Sequence, residues 1–98
     1  MLIVHVEFET GPDTRETALA GLRAEASAAR ALPGNLGYEV RVDPDHAGKV
    51  TLLHQWDGPA EFLAYKGSDL FKRVGGQLFP LMVGRPTTRY YGEVETPA

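Results

Sequence analysis

The chain contains no cysteine. Disulfides, thiolate nucleophiles and cysteine-held zinc or iron–sulfur centres are therefore excluded, and cysteine usage says nothing about the redox compartment. No stretch of about 18 apolar residues is present, so no membrane-spanning helix is encoded. Residues 1–7 lack the basic start and small-residue cleavage site of a secretory leader, which makes the cytoplasm the expected location. A basic excess is missing too: 10 Lys and Arg stand against 13 Asp and Glu, a net charge of -3. Without a positive field to neutralise phosphates, neither nucleic acid nor an anionic membrane is expected as a partner. Gly75-Gly76 has no preceding strand and no Gly-x-Gly-x-x-Gly spacing, so a dinucleotide fingerprint is absent. The three histidines, His5, His46 and His54, show no short ligand spacing, and no metal site is expected. Neither Ser27 nor Ser68 lies in a Gly-x-Ser-x-Gly elbow.

What is present fits one water-soluble α+β domain over residues 1–98. Hydrophobic residues at 43% and charged residues at 23% are near globular averages. A chain of 98 residues buries only roughly 60–65% of its unfolded surface, which leaves room for a single core.

Alternation from Leu2 to Thr10 puts Val4, Val6 and Phe8 opposite His5, Glu7 and Glu9, the period of a half-buried strand. Gly11-Pro12 breaks it, and Asp13 with Glu16 three residues on reads as a capping box opening a helix. Leu19, Leu22, Ala26 and Ala29 form that helix's apolar stripe, with Arg15, Arg23, Glu25 and Arg30 placed elsewhere on the wheel; Pro33-Gly34 stops it near Leu32. Leu36, Tyr38, Val40 and Val42 then alternate with Glu39, Arg41 and Asp43 as a second strand. The turn-rich segment 43–48 joins it to a third strand, Val50 to Trp56. Gly58-Pro59 opens a second helical region, which Gly67-Ser68-Asp69 divides or kinks before Phe71, Val74, Leu78 and Leu81 resume the period. Thr87 to Glu95 reads as strand four, with a frayed tail beyond.

The order β, α, β, β, α, β predicts a ferredoxin-like fold, a four-stranded antiparallel sheet with helices on one face. The uncovered face carries Ile3, Leu53 and Tyr91 among its charges. A self-complementary patch needs only a second copy to cover it, so a homodimer closing into a dimeric α+β barrel is expected.

With the elements placed, Pro33-Gly34-Asn35-Leu36-Gly37-Tyr38-Glu39-Val40, the strand end Leu52-Leu53-His54-Gln55-Trp56, Ala60-Glu61-Phe62 and Ser68-Asp69-Leu70-Phe71-Lys72 resemble the antibiotic biosynthesis monooxygenase domain. The likeness spans nearly the whole chain. It implies a dimeric α+β barrel with a small apolar pocket between sheet and helices. Some members oxygenate a polyphenolic or quinol-like substrate with no flavin or metal: the substrate loses a proton and its anion passes an electron to dioxygen, so no cofactor is expected. Members often carry Glu where this chain has His54 and His where it has Tyr65, and a later His is Leu70. In a haem-degrading branch an Asn, this Trp and a His fall at Val6, Trp56 and Gly75, so an iron would lack its His ligand.

The resulting expectation is a cofactor-independent monooxygenase, with a non-catalytic dimer that binds a small ligand or serves as a stress-related accessory protein, and a cofactorless isomerase or cyclase, as alternatives. His54 is the candidate base, since imidazole titrates near neutral pH. Trp56 is the candidate aromatic wall, and Tyr65, with Tyr38, supplies hydroxyls to an oxygenated ligand. Phe62, Phe71 and Leu52 complete the expected substrate pocket. His5 falls on the opposite face with Glu7, where an ion pair or solvent accounts for it.

Overall fold

The computed structural model describes residues 1–92, so the expected continuation of strand four to Glu95 and the frayed tail lie outside the described residues. The elements are β1 Leu2–Thr10, α1 Arg15–Ala29, β2 Asn35–Asp43, β3 His46–Trp56, α2 Pro59–Lys66, α3 Asp69–Leu78, a 3-10 turn Phe79–Leu81 and β4 Met82–Gly92. The strands lie in the order β2-β3-β1-β4, every neighbour antiparallel. This is the ferredoxin-like α+β arrangement, with the second helical region split in two. None of its helices is long and apolar enough to cross a membrane, among the described residues.

The register explains why the core sits where it does. Val4 pairs with His54, Val6 with Leu52 and Phe8 with Val50, while Tyr38 also pairs with His54 and Val40 with Leu52. Side chains opposite one another in register point to the same face, and this is the face the helices cover. Leu19, Leu22, Ala26 and Ala29 of α1 and Phe62 and Tyr65 of α2 pack down on it. Leu22 is fully enclosed, a burial that contributes on the order of 2 kcal/mol.

Several local expectations are corrected. The capping box does not form: α1 starts at Arg15, and its cap residue Thr14 makes no side-chain capping bond. The Thr14 hydroxyl instead donates to the Gly11 carbonyl at 3.2 Å, closing the Gly11-Pro12 turn. The helix ends at Ala29, not near Leu32, because the Ala31 and Leu32 N–H groups bond to the Ala28 and Ala29 carbonyls three residues back, the tighter 3-10 pattern, while the Arg30 guanidinium donates to the Tyr38 carbonyl at 2.6 Å. Leu36 and Val42, assigned to the covered face, are exposed; β2 is an edge strand, and its pairing with β3 shifts register beside each of them, between Asn35 and Gly37 and between Val42 and Asp43. β3 begins at His46 rather than Val50, after a two-residue Pro44-Asp45 turn in which the Asp43 carboxylate accepts the Asp45 N–H at 2.8 Å. β4 begins at Met82, before the expected Thr87, and carries a bulge where its pairing moves from Thr87 to Val83 against Glu7 and Glu9.

The division at Gly67-Ser68-Asp69 is as the sequence implies. Ser68 caps α3 by accepting the Phe71 N–H at 3.2 Å, so Asp69 starts a new helix. Gly34 is required on two counts. Its φ of +80° is left-handed, and a Cβ there would stand 2.3 Å from Glu61 Cγ.

The face of the sheet turned away from the helices is mixed. Ile3 and Leu53 are half-buried and Tyr91 is exposed, while the Glu7 carboxylate gathers His5, Lys49 and Arg89 at 3.6–3.8 Å.

Candidate functional site

Between the covered face and the helices lies a cavity of about 160 Å³. Val4, Val6 and Leu52 floor it from the sheet, Phe62 and Phe71 wall it from α2 and α3, and Tyr90 of β4 stands at its edge. Glu25, Tyr38, His54 and Tyr65 contribute polar groups to its lining, as do Lys66 and Thr88. Six of the seven residues expected to make the site, His54, Tyr65, Tyr38, Phe62, Phe71 and Leu52, line this one cavity.

Trp56 does not. Its indole is fully buried behind the lining, stacked on Tyr65 with ring centroids 5.0 Å apart. From there its Nε1–H donates to His54 Nδ1 at 2.8 Å. The consequence falls on His54, whose ring also stacks on Tyr38 at 4.8 Å. An Nδ1 that accepts the indole N–H carries no proton, so the hydrogen of the neutral imidazole is on Nε2. Burial lowers the proton affinity of the ring to a pKa of about 4. At neutral pH His54 is therefore an uncharged imidazole with one engaged lone pair, and its Nε2–H finds no acceptor among the described residues.

Glu25, placed off the apolar stripe of the first helix by the sequence pattern, is corrected by the structure: it faces the core. It is only 4% exposed, in the middle of the α1 surface that packs on the sheet. The Tyr65 hydroxyl donates to its Oε1 in a short hydrogen bond, and the Tyr38 hydroxyl donates to Oε2 at 3.4 Å. Burial raises the carboxyl's proton affinity, and the two phenol hydrogen bonds partly oppose the shift. Burial also pushes both phenols well above the ordinary tyrosine range; for Tyr38 the Glu25 charge adds to it. Both tyrosines are thus hydroxyl donors, and Glu25 is the acceptor they converge on. A signal for this residue existed: positions 18, 22, 25 and 29 follow the 4-3-4 spacing of a helix seam, so a carboxylate at 25 stands inside the apolar stripe.

The arrangement offers a largely apolar cavity with a carboxyl, two hydroxyls and an N–H on its walls. Those groups suit a ligand that is an aromatic ring bearing oxygen.

Comparison with known proteins agrees with this picture at the level of fold. Residues 1–75 match the family described as antibiotic biosynthesis monooxygenase. Among solved structures, one described as an antibiotic biosynthesis monooxygenase superposes with a TM-score of 0.89 at 20% identity, covering 96% of this chain and 99% of that one. Rv0793 from Mycobacterium tuberculosis gives 0.89 at 20% identity over 99% and 98%. A conserved protein of unknown function from Bacteroides thetaiotaomicron gives 0.86 at 12% identity over 92% and 94%. Identities this low establish shared architecture alone. No curated protein matches the chain.

Proposed function

The chain belongs to the antibiotic biosynthesis monooxygenase family, and from that premise we propose that it oxygenates a small, single-ring hydroquinone or phenol without a cofactor. The observation that carries the reading is the cavity: largely apolar, about 160 Å³, with Glu25, Tyr38, His54 and Tyr65 joined on its wall into one hydrogen-bonded and ring-stacked cluster. An enclosed apolar cavity of about 150 Å³ is known to hold one benzene ring, so this volume favours a monocyclic occupant over a polycyclic one.

The chemistry needs little from the protein. A hydroquinone loses one phenolic proton, and its anion passes one electron to dioxygen. Substrate radical and superoxide join in a C–O bond, and the O–O bond then breaks with release of water. The net change is hydroquinone plus O2 to hydroxyquinone plus water, with every electron drawn from the substrate. His54 in this scheme donates its Nε2–H to the developing oxyanion, the Tyr38 oxygen, whose own hydrogen points to Glu25, accepts from the ligand O–H, and Phe62, Phe71 and Leu52 exclude water, which strengthens each polar contact. Trp56 fixes the His54 tautomer from behind.

Two copies pairing through the open sheet face complete the proposal. Ile3, Leu53 and Tyr91 form an apolar strip beside the Glu7 ion cluster, and a twofold axis would cover the strip on both copies at once.

An oxygen electrode tests the activity. Substituted hydroquinones should give protein-dependent oxygen uptake, one O2 per hydroxyquinone formed, falling roughly 10²-fold or more in His54→Ala. Uptake no faster than buffer sinks the reading: product without uptake supports an isomerase or cyclase, and binding without turnover a ligand carrier.

A further inference from the structure

Glu25 has an unusual set of neighbours. It is a buried carboxyl whose hydrogen-bond partners are two phenols and no cation, among the described residues. The ammonium group that lines the same cavity, on Lys66, sits over the Phe62 ring, 5.6 Å from its centroid. Enclosing a carboxylate without a counter-charge costs several kcal/mol, and an apolar residue at this point of the α1 stripe would avoid that cost. Packing therefore gives no reason for the carboxyl. A group of one carboxylate and two protonated phenols has a specific capacity instead: it can take up one proton from something in the cavity.

Both hydroxyls donate to Glu25, Tyr65 to Oε1 and Tyr38 to Oε2. The Tyr38 bond is long at 3.4 Å, so its hydroxyl is loosely held. Its ring is held flat against His54, which keeps the hydroxyl beside the same wall of the cavity.

We propose that Glu25 is the proton acceptor of this cavity, reached through the Tyr38 hydroxyl. The ligand's phenolic O–H gives its proton to the Tyr38 oxygen while the Tyr38 proton moves to Glu25 Oε2. The products are a phenolate in the slot, an intact Tyr38 hydroxyl and a neutral Glu25 carboxyl. No charge is created, because a carboxylate is exchanged for a phenolate beside the His54 N–H. This assignment rests on the reading of the cavity as a phenol site, and it moves the proton-accepting role from His54, whose Nδ1 lone pair is taken by Trp56.

The probe is 4-nitrophenol, whose ionised form absorbs in the visible, offered roughly one pH unit below its own pKa so that the free probe is mainly neutral. Bound to the wild-type protein it should show the phenolate band, and an infrared difference spectrum should gain a protonated carboxyl stretch. Glu25→Gln and Tyr38→Phe should still bind the probe but lower its ionised fraction about tenfold or more. A bound probe that stays neutral on the wild-type protein, or a phenolate band that persists in Glu25→Gln, overturns the assignment while leaving the phenol site standing. A band that persists in Tyr38→Phe overturns the route. Failure of the wild-type protein to bind any phenol overturns both the assignment and the function beneath it. The infrared arm needs no variant, so a poorly folded substitution cannot mask the result.

Discussion

Acid should expose how His54 is held. Its ring is 3% exposed, and burial moves its pKa from 6.5 to about 4. The unfolded chain therefore binds a proton at this site more readily than the folded one, and the sign follows: the contribution to stability is complete above pH 6.5 and is lost as pH falls towards about 4. Two and a half decades of proton affinity, at about 1.4 kcal/mol each, correspond to a loss on the order of 3 kcal/mol. Glu25 runs the other way. Its raised pKa makes the fold more stable as pH falls through the carboxyl's titration, so the two groups oppose each other in the wild-type protein. Comparison with His54→Phe separates them, because Glu25 is present in both chains and the indole N–H left unpaired by phenylalanine is a constant offset. Urea denaturation at several pH values between about 7.5 and 4 should give two stability curves that converge by about 3 kcal/mol on acidification. Curves that stay parallel through that window would refute a buried, neutral His54.

Three further outcomes follow from the geometry. Trp56→Phe removes the donor from a buried Nδ1 and should cost about 1–3 kcal/mol; a double-mutant cycle with His54→Phe should return most of that as coupling, and additive losses would deny the bond. Gly34→Ala forces a side chain into a left-handed position against Glu61 and should lower Tm by roughly 10 °C; a shift within error would mean the loop can re-form without strain. Sedimentation at high concentration should report a particle of about twice the 10.7 kDa chain, and a lone chain would remove the proposed pairing through Ile3, Leu53 and Tyr91.

Much of the architecture was legible because its signals are local. Alternation in Leu2–Thr10 and from Leu36 onward has the period of a strand whatever the rest of the chain does, and Ser68 ahead of Asp69 is a helix start in itself. The candidate residues on β2, β3, α2 and α3 were found for the same reason: each lies on the apolar face of its own element. What failed depended on neighbours. Asp13 and Glu16 satisfy a capping pattern, but Thr14 took the start of α1 once Gly11-Pro12 had turned the chain. Leu36 and Val42 alternate with the buried Tyr38 in the sequence, yet the pairing with β3 shifts between Asn35 and Gly37, and both residues stay exposed on an edge strand that α1 covers at Tyr38.

The chain alone determined the elements, their order and the faces they turn inward, since these follow from side-chain periodicity and from where glycine and proline interrupt it. Only the tertiary structure decided which polar groups meet. Glu25 of α1 and Tyr65 of α2 are 40 residues apart and share a hydrogen bond, and Trp56 met His54 through its indole edge rather than across a ligand. Hydrogen bonds act over about 3 Å, and no spacing along a chain specifies that distance between side chains on different elements until the packing of the core has set it.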